Sequence, residues 1–382
     1  MRAITNVNLV LADSILPGAV LLTDGGRIVD LGPEGKLTVP EGAGIFDGKG
    51  LFLGPGLIDI HTHAAGGVWI WQEPDAAADT LLRHGVTSVL PALYISMDAR
   101  EQIEALDRLR TASRKGAGRI IRGAYMEGTY LNPKFGCDLK SNRWAGPIRR
   151  EDYLPLIEAA GEFARVWCLA PEREGIPAFV RDLKDRIPAV VLSVAHSEAT
   201  PQEVERYIPD GLRLATHHTN ATGTLDKYPE CRGVCVDEAV NYNDDIYAEL
   251  ICDSMGIHVD PYMLRLVVKI KGKDRVILVS DACVFDGPVP EGYDGATDIN
   301  FDFEGQIAGS KLTLDMACHN MMKHTGCGLA DVFRYASRNP ARLLSMRDRG
   351  ELGRGKIADL VLVDQQMNVK QVFLEGEPVL NF

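Results

Sequence analysis

Short runs of apolar residues recur along the central part of the chain, and a polar residue follows many of them. Runs of about four to eight apolar residues are typical of strands that are buried on both faces of a parallel sheet. Amphipathic stretches with helical spacing separate many of these runs, at 75–84, 99–114, 151–163 and 201–208. This alternation predicts an α/β fold, a (β/α)8 barrel of the TIM type. Its strands are predicted to end near His63, Leu93, Glu127, Glu172, His196, His217, His258 and Asp281.

Both ends of the chain have a different pattern, in which short strands are separated by turn residues. The predicted strands are 4–11, 19–23, 27–31 and 44–46 near the start, and 355–364, 369–373 and 375–379 near the end. Neither set has enough apolar surface to fold alone, so we predict one small β-sandwich module built from both ends. The predicted domains are 1–54 and 346–382 for the module, and 55–345 for the barrel. Residues 285–306, rich in Gly, Pro and acids, predict a lid or rim over the barrel mouth.

The composition narrows the choice of partners. The chain has 382 residues, of which 46% are hydrophobic and 25% charged, as in an ordinary globular enzyme. A formal net charge of -12 argues against nucleic acid or an anionic membrane as the main partner, so a small-molecule substrate is expected. Eight scattered cysteines, without an apolar leader segment, predict reduced thiols in a cytoplasmic protein.

His61 and His63 follow the first predicted barrel strand. In an extended strand, residues i and i+2 point to the same side, so the two imidazoles are spaced to bind one divalent cation. Taken alone, this pair is equally compatible with two satisfied polar side chains. Potential ligands also follow other predicted strands: Glu127, His196, His217 and Asp281. Because a barrel brings these strand ends together at one face, the recurrence predicts a metal-dependent active site.

Asp281 is predicted to be the general acid/base of that site. A carboxylate beside metal-activated water can accept a proton as the water attacks a substrate, then return it to the leaving group. Asp59, two residues before His61, is expected to support the site rather than to bind the metal. His217 and His218 are adjacent, so a strand points them to opposite faces and only one should reach the metal.

Ordered motifs along nearly the whole chain resemble the amidohydrolase superfamily and, within it, the N-acetylglucosamine-6-phosphate deacetylases. The motifs lie at 55–63, 126–128, 131–133, 169–172, 195–200, 216–217, 220–221, 253–258, 279–282, 308–310, 339–341 and 355–359. The resemblance implies a metal held by Glu127, His196 and His217, with His61 and His63 completing that position or forming a second one bridged by Glu127. One or two divalent ions are thus expected; the donor set favours zinc, with iron, manganese or cobalt as alternatives. The resemblance also suggests a homodimer.

The same resemblance implies that Asn220, Ala221 and His258 contact the substrate, and it makes N-acetylglucosamine 6-phosphate the leading candidate. The expected activity is removal of the N-acetyl group from this sugar phosphate. Two alternatives stay open. One is a deacylase or cyclic-amide hydrolase of the same superfamily that acts on an unphosphorylated substrate. The other is a non-catalytic scaffold that keeps the metal.

Two departures from the family pattern concern the phosphate end of the substrate. The family has a substrate-binding histidine in a Lys-Gly-x-His run, whereas this chain has 134–138, which leaves Asp138 as the candidate contact there. The phosphate-binding arginine has no clean match, although Lys227 and Arg232 are near enough in sequence to replace it. The acidic segment 234–247 is expected to disfavour an anionic substrate.

Overall fold

The computed structural model describes residues 1–223 and 230–379. Within these residues the strands are β1 (Arg2–Val10), β2 (Ile15–Asp24), β3 (Arg27–Pro33), β4 (Gly44–Asp47), β5 (Phe52–Pro55), β6 (Leu57–Thr62), β7 (Ala64–Ala65), β8 (Val68–Trp69), β9 (Val86–Leu93), β10 (Ala124–Met126), β11 (Ala164–Leu169), β12 (Val191–Val194), β13 (Leu212–Ala215), β14 (Tyr247–Ile251), β15 (Val276–Val279), β16 (Ile299–Phe301), β17 (Ile307–Ser310), β18 (Leu360–Val363), β19 (Val369–Leu374) and β20 (Glu377–Pro378).

The α-helices are α1 (Pro74–Arg83), α2 (Ala99–Ala112), α3 (Arg150–Ala160), α4 (Ile176–Arg186), α5 (Pro201–Glu205), α6 (Val236–Tyr242), α7 (Pro261–Lys271), α8 (Leu314–Thr325), α9 (Leu329–Phe333) and α10 (Asn339–Leu343). Three 3-10 turns, Ala117–Ile120, Leu139–Ser141 and Gly161–Phe163, and one π-helical turn, Arg334–Arg338, complete the helical structure of this part of the chain. None of these helices combines the length and apolar character needed to cross a bilayer.

Local sequence signals explain where several helices begin. Asp98 caps α2, because its carboxylate accepts the backbone N–H of Glu101 while the Glu101 carboxylate accepts the N–H of Asp98. Thr200 and Glu203 form the same reciprocal cap on α5. Proline at the first or second position starts α1, α4, α5 and α7, where its missing N–H costs no hydrogen bond.

Eight parallel strands form the barrel, in the order β6-β9-β10-β11-β12-β13-β14-β15. The first and last strands meet at their carboxyl ends, where the Asp281 N–H donates to the His61 carbonyl and the His63 N–H to the Ala282 carbonyl, both at 2.9 Å. The predicted (β/α)8 fold is therefore confirmed. Since the ring of strands is joined at this end, the residues that follow the strands share one rim.

Two predicted strand ends are corrected by the structure. The fourth barrel strand, β11, ends at Leu169 rather than near Glu172, and the seventh, β14, ends at Ile251 rather than near His258. In the second case the Asp253 carboxylate accepts backbone N–H groups from residues 255, 257 and 258, which fold the chain into a tight loop. This side-chain capping competes with the strand ladder and ends it early.

The two chain ends form one eight-stranded sheet, as predicted. Its order is β20-β19-β18-β5-β1-β2-β3, and β4 also pairs with β1. The sheet folds over its own apolar core, so that the rings of Phe46 and Phe373 meet edge to face at 5.1 Å. The antiparallel hairpin of β16 and β17 follows the last barrel strand and contributes residues 306–309 to the rim of the cavity described below.

Candidate metal centre and active site

A cavity of about 300 Å³ opens at the carboxyl ends of the barrel strands. Many of the residues singled out from the sequence line it: His63, Glu127, His196, His217, Asn220, Ala221, His258 and Asp281. His61 lies directly beneath, fully buried. The strand-end pattern therefore corresponds to one site in three dimensions.

One group of potential ligands surrounds the first carboxylate oxygen of Glu127. The Oε1 atom lies 3.2 Å from Nε2 of His196 and 3.2 Å from Nε2 of His217. The two imidazole nitrogens are 3.0 Å apart. Around a tetrahedral zinc ion with bonds of about 2.0–2.1 Å, ligand atoms lie about 3.3 Å from one another. The three atoms are thus spaced to share a cation.

A second group surrounds the other oxygen of the same carboxylate. Glu127 Oε2 is 3.2 Å from Nε2 of His61 and 2.8 Å from Nε2 of His63. Asp281 Oδ1 lies 3.5 Å from both of these nitrogens. The ligand atoms of Glu127, His196 and His217 all lie within 4.8 Å of one another, and so do those of His61, His63 and Asp281. Glu127 therefore presents one oxygen to each group.

The electrostatics of the site also suit a cation. Burial by itself would raise the pKa of Glu127, but His61, His196 and His217 outweigh it and hold the pKa well below its usual range. Burial would likewise lower the pKa of His61, yet the carboxylates of Glu127 and Asp281 raise it well above its usual value. The donor set, imidazole and carboxylate, fits a divalent metal.

The backbone turns sharply at three of the candidate residues. His196, His217 and Asp281 have φ angles of +43°, +31° and +47°, the left-handed region that non-glycine residues seldom adopt. Each follows the end of a barrel strand by two residues. Such strained conformations cluster at functional sites, and here they occur where the chain turns its side chains into the rim.

The polar groups beneath the cavity include one carboxylate that the sequence analysis missed. Glu249, in the middle of β14, is fully buried, and its Oε2 lies 3.1 Å from Nδ1 of His61. Its one available signal was a charged residue inside an apolar run. Asp59 is also buried, accepts the Ser280 hydroxyl at 2.6 Å, and has a pKa raised to about 7 by burial.

Two of the predicted substrate contacts present unpaired polar atoms. The Nδ1 atom of His258 is 3.2 Å from the Asp253 carboxylate, and its Nε2 has no partner among the described residues. The Nδ2 of Asn220 is likewise buried without a partner there. Since buried polar groups are normally hydrogen-bonded, these atoms in the cavity wall suit a polar ligand.

Other predicted contacts are not brought to the cavity. Asp138 does not line it, because its carboxylate accepts the Ser141 hydroxyl at 2.7 Å in a local turn. The Arg232 side chain is 86% exposed and pairs with Glu238 at 2.8 Å. Lys227 lies outside the described residues. Finally, His218 points away from the metal group towards Asn241, at 3.2 Å, as its adjacency to His217 predicts.

The rest of the cavity wall is largely apolar and was not identified from the sequence. It includes Tyr94, Leu131, Phe135, Cys137, Ile251, Cys283 and Ile307. Within residues 1–223 and 230–379, neither lysine nor arginine lines the cavity, and the acids of 234–247 do not line it either. The expectation that those acids oppose an anionic substrate therefore has no support from their position.

Sequence comparison agrees with this fold and site, which combine a (β/α)8 barrel, a carboxylate shared by two ligand groups, and histidines around it. Residues 52–379 match the amidohydrolase family, and the chain belongs to that family. A curated relative, the N-acetylgalactosamine-6-phosphate deacetylase of Escherichia coli O157:H7, is 30% identical over 346 residues, covering 85% of this chain and 87% of that protein. The N-acetylglucosamine-6-phosphate deacetylase of Lysinibacillus sphaericus is 27% identical, covering 88% of this chain and 87% of that protein.

Solved structures agree with this assignment. The N-acetylglucosamine-6-phosphate deacetylase of Pasteurella multocida superposes with a TM-score of 0.84 at 27% identity, covering all of both chains. That of Thermotoga maritima gives a TM-score of 0.82 at 26% identity, again covering all of both chains. The resemblance stated from the motifs is confirmed.

Proposed function

We propose that this protein is a metal-dependent deacetylase that hydrolyses the N-acetyl group of an amino sugar phosphate, with N-acetylglucosamine 6-phosphate as the leading substrate. The proposal rests on one observation. The two oxygens of the Glu127 carboxylate face two different groups of potential ligands, and Asp281 lies beside them in the wall of the cavity. The names of the relatives support the substrate class. N-acetylgalactosamine 6-phosphate belongs to the same class and is the first variant to compare.

The proposed cofactor is a pair of divalent ions, one held by Glu127, His196 and His217 and the other by Glu127, His61 and His63. Zinc suits these ligands best, with iron, manganese or cobalt as alternatives. When bound, such an ion supplies Lewis-acid chemistry that polarises the amide carbonyl and lowers the pKa of water. Four different strands, β6, β10, β12 and β13, supply this donor set at their carboxyl ends.

Asp281 is the proposed proton carrier. Its carboxylate reaches both the cavity and the second ligand group, with Oδ1 at 3.5 Å from two imidazole nitrogens. It accepts the proton of the attacking water and returns it to the amide nitrogen, which cannot leave as an anion. His258 Nε2 and Asn220 Nδ2, which have no partner among the described residues, would bind and orient the sugar.

One observation favours a second candidate. The described wall carries no cationic side chain and includes the apolar or aromatic Tyr94, Leu131 and Phe135, which suits an N-acyl substrate without phosphate. Under that alternative the same metal ligands and Asp281 perform the same hydrolysis. Lys227 is the remaining candidate from the sequence for a phosphate contact. Its substitution therefore distinguishes a phosphorylated substrate from an unphosphorylated one.

The test is a comparison of kcat/KM for N-acetylglucosamine 6-phosphate, N-acetylgalactosamine 6-phosphate and the two unphosphorylated sugars, with chelator-treated protein as the blank. We expect a phosphorylated sugar to be preferred by at least about 100-fold, because a charged phosphate contact contributes about 1.5–3 kcal/mol per hydrogen bond. Equal rates with and without phosphate would favour the second candidate. In Lys227→Gln, KM should rise for the phosphorylated sugar only.

The remaining expectations belong to the same proposal. We propose the boundaries 1–54, 55–345 and 346–382 for the end module and the barrel, a cytoplasmic location, and a homodimer. Light scattering coupled to gel filtration tests the dimer directly. A fully active monomer would show that the proposed homodimer is wrong.

A further inference from the structure

One buried carboxylate contacts both ligand groups without belonging to either. Glu249 is 0% exposed and lies in the middle of β14. Its Oε2 atom lies 3.1 Å from Nδ1 of His61 and 3.2 Å from the backbone N–H of His217. His61 belongs to the second ligand group and His217 to the first. A single oxygen thus contacts one ligand of each.

The first contact fixes the state of an imidazole. A carboxylate oxygen only accepts hydrogen bonds, so Nδ1 of His61 carries the donated hydrogen. The lone pair of Nε2 is then directed towards Glu127, at 3.2 Å. The Tyr125 ring also stacks on the His61 imidazole, with the two ring centroids 4.4 Å apart and an interplanar angle of 14°, and so restricts its rotation.

The second contact fixes a strained turn. His217 has a φ angle of +31°, and its N–H is the donor to Glu249. The next residue is held to the same strand, because the N–H of His218 donates to the Glu249 carbonyl at 2.8 Å. Without the carboxylate, the His217 N–H would lose its partner at the position where the backbone turns.

The surroundings of Glu249 indicate that its carboxylate does more than fill space in the barrel. A buried carboxylate costs several kcal/mol unless it is paired, and an apolar residue would pack in a barrel strand at no such cost. Its other oxygen is satisfied as well, since the Tyr125 hydroxyl donates to Oε1 at 3.0 Å and lies 2.8 Å from the Thr216 hydroxyl. All of its contacts converge on the ligands or on the ring stacked against one of them.

We propose that Glu249 is a positioning residue that orients His61 and His217 together and so couples the two metal positions. The inference rests on the proposed metal centre. Carboxylates that orient metal-binding histidines typically contribute about 10- to 100-fold in metal affinity. Because Glu249 serves both groups, its loss weakens both positions at once.

The experiment measures metal affinity directly, by titrating metal-free protein with Zn²⁺ against a competing chelator. Glu249→Ala is expected to lower the affinity of both positions by about 100-fold, and Glu249→Gln, which keeps an acceptor oxygen but not the charge, by about 10-fold. The control is Ser193→Ala. It removes a buried hydroxyl from the same interior network, 2.6 Å from Thr216, without touching a ligand, and should bind as the unchanged protein does.

The outcomes separate this inference from the function. Unchanged affinity in the Glu249 variants overturns the inference, and so does an equal loss in Ser193→Ala. If Glu249→Ala does not fold, Glu249→Gln alone decides, because the same titration applies to it. If the protein without substitutions binds metal but releases no acetate, the proposed deacetylase function is wrong, and the metal titration still tests Glu249. If it binds no metal, both the proposed function and the proposed role of Glu249 are wrong.

Discussion

Replacing Asp281 by Asn separates proton transfer from metal binding. The new side chain has the same size but can neither accept nor return a proton at neutral pH. The backbone should tolerate it, because Asn adopts the left-handed conformation, here at φ +47°, as readily as Asp does. The N–H of this residue still donates to the His61 carbonyl at 2.9 Å.

The size of the effect follows from what remains at the site. The group around Glu127 Oε1 does not include Asp281, and around Oε2 the nitrogens of His61 and His63 remain at 3.2 and 2.8 Å. Metal content should therefore stay close to that of the unchanged protein. General acid/base catalysis contributes about 10²–10⁴-fold, so kcat should fall by that factor, equivalent to about 3–5 kcal/mol.

The assay records acetate release and metal content on the same sample. Asp286→Asn is the matched control, since this carboxylate is 89% exposed, lies five residues further along the chain, and pairs with Lys311 outside the cavity. It should retain full activity. If Asp281→Asn holds metal and keeps its rate within about threefold, the assignment of the proton carrier is refuted.

Three further changes test other parts of the structure. His196→Ala should lose metal and activity together, and metal that stays at full stoichiometry would contradict its role as a ligand. Gly128→Ala places a methyl group 2.7 Å from a backbone carbonyl oxygen and should cost about 1–3 kcal/mol in urea unfolding, whereas Gly44→Ala, with open space around it, should cost about 1 kcal/mol or less. The hydrogen bond to Asp315 raises the pKa of His84 above 6.5, so its contribution to stability is present below that pH and is lost as pH rises through the raised value. His84→Gln should remove this slope from the pH dependence of unfolding.

The sequence was sufficient to predict the architecture and to select side chains that the fold brings together. Eight apolar runs alternating with amphipathic stretches indicate a parallel α/β fold of the barrel type, and a barrel places the residues after its strands on one rim. His61, His63 and Glu127 could be proposed as ligands for that reason, because position after a strand is a local property of the chain. The resemblance to known deacetylases then distinguished His217 from its neighbour.

The structure was needed wherever the position of a residue depends on contacts between distant parts of the chain. Glu249 is the clearest case, because its role depends on His61, which lies 188 residues earlier in the chain. Asp138 was proposed from its place in the stretch that matches the family's Lys-Gly-x-His run, and Arg232 from its nearness in sequence. Neither lines the cavity, and each has a local partner. The end of β14 at Ile251 was missed because an Asp253 side chain, rather than a loss of apolar character, ends the strand.

The proposed function depends on divalent ions held at both oxygens of the Glu127 carboxylate. Anomalous diffraction from crystals of the zinc-loaded protein, recorded at the zinc absorption edge, would show where the ions bind. We expect two peaks, one beside Oε1 near His196 and His217 and one beside Oε2 near His61 and His63. A peak at only one oxygen, or at neither, would show that the proposed pair of ions is wrong.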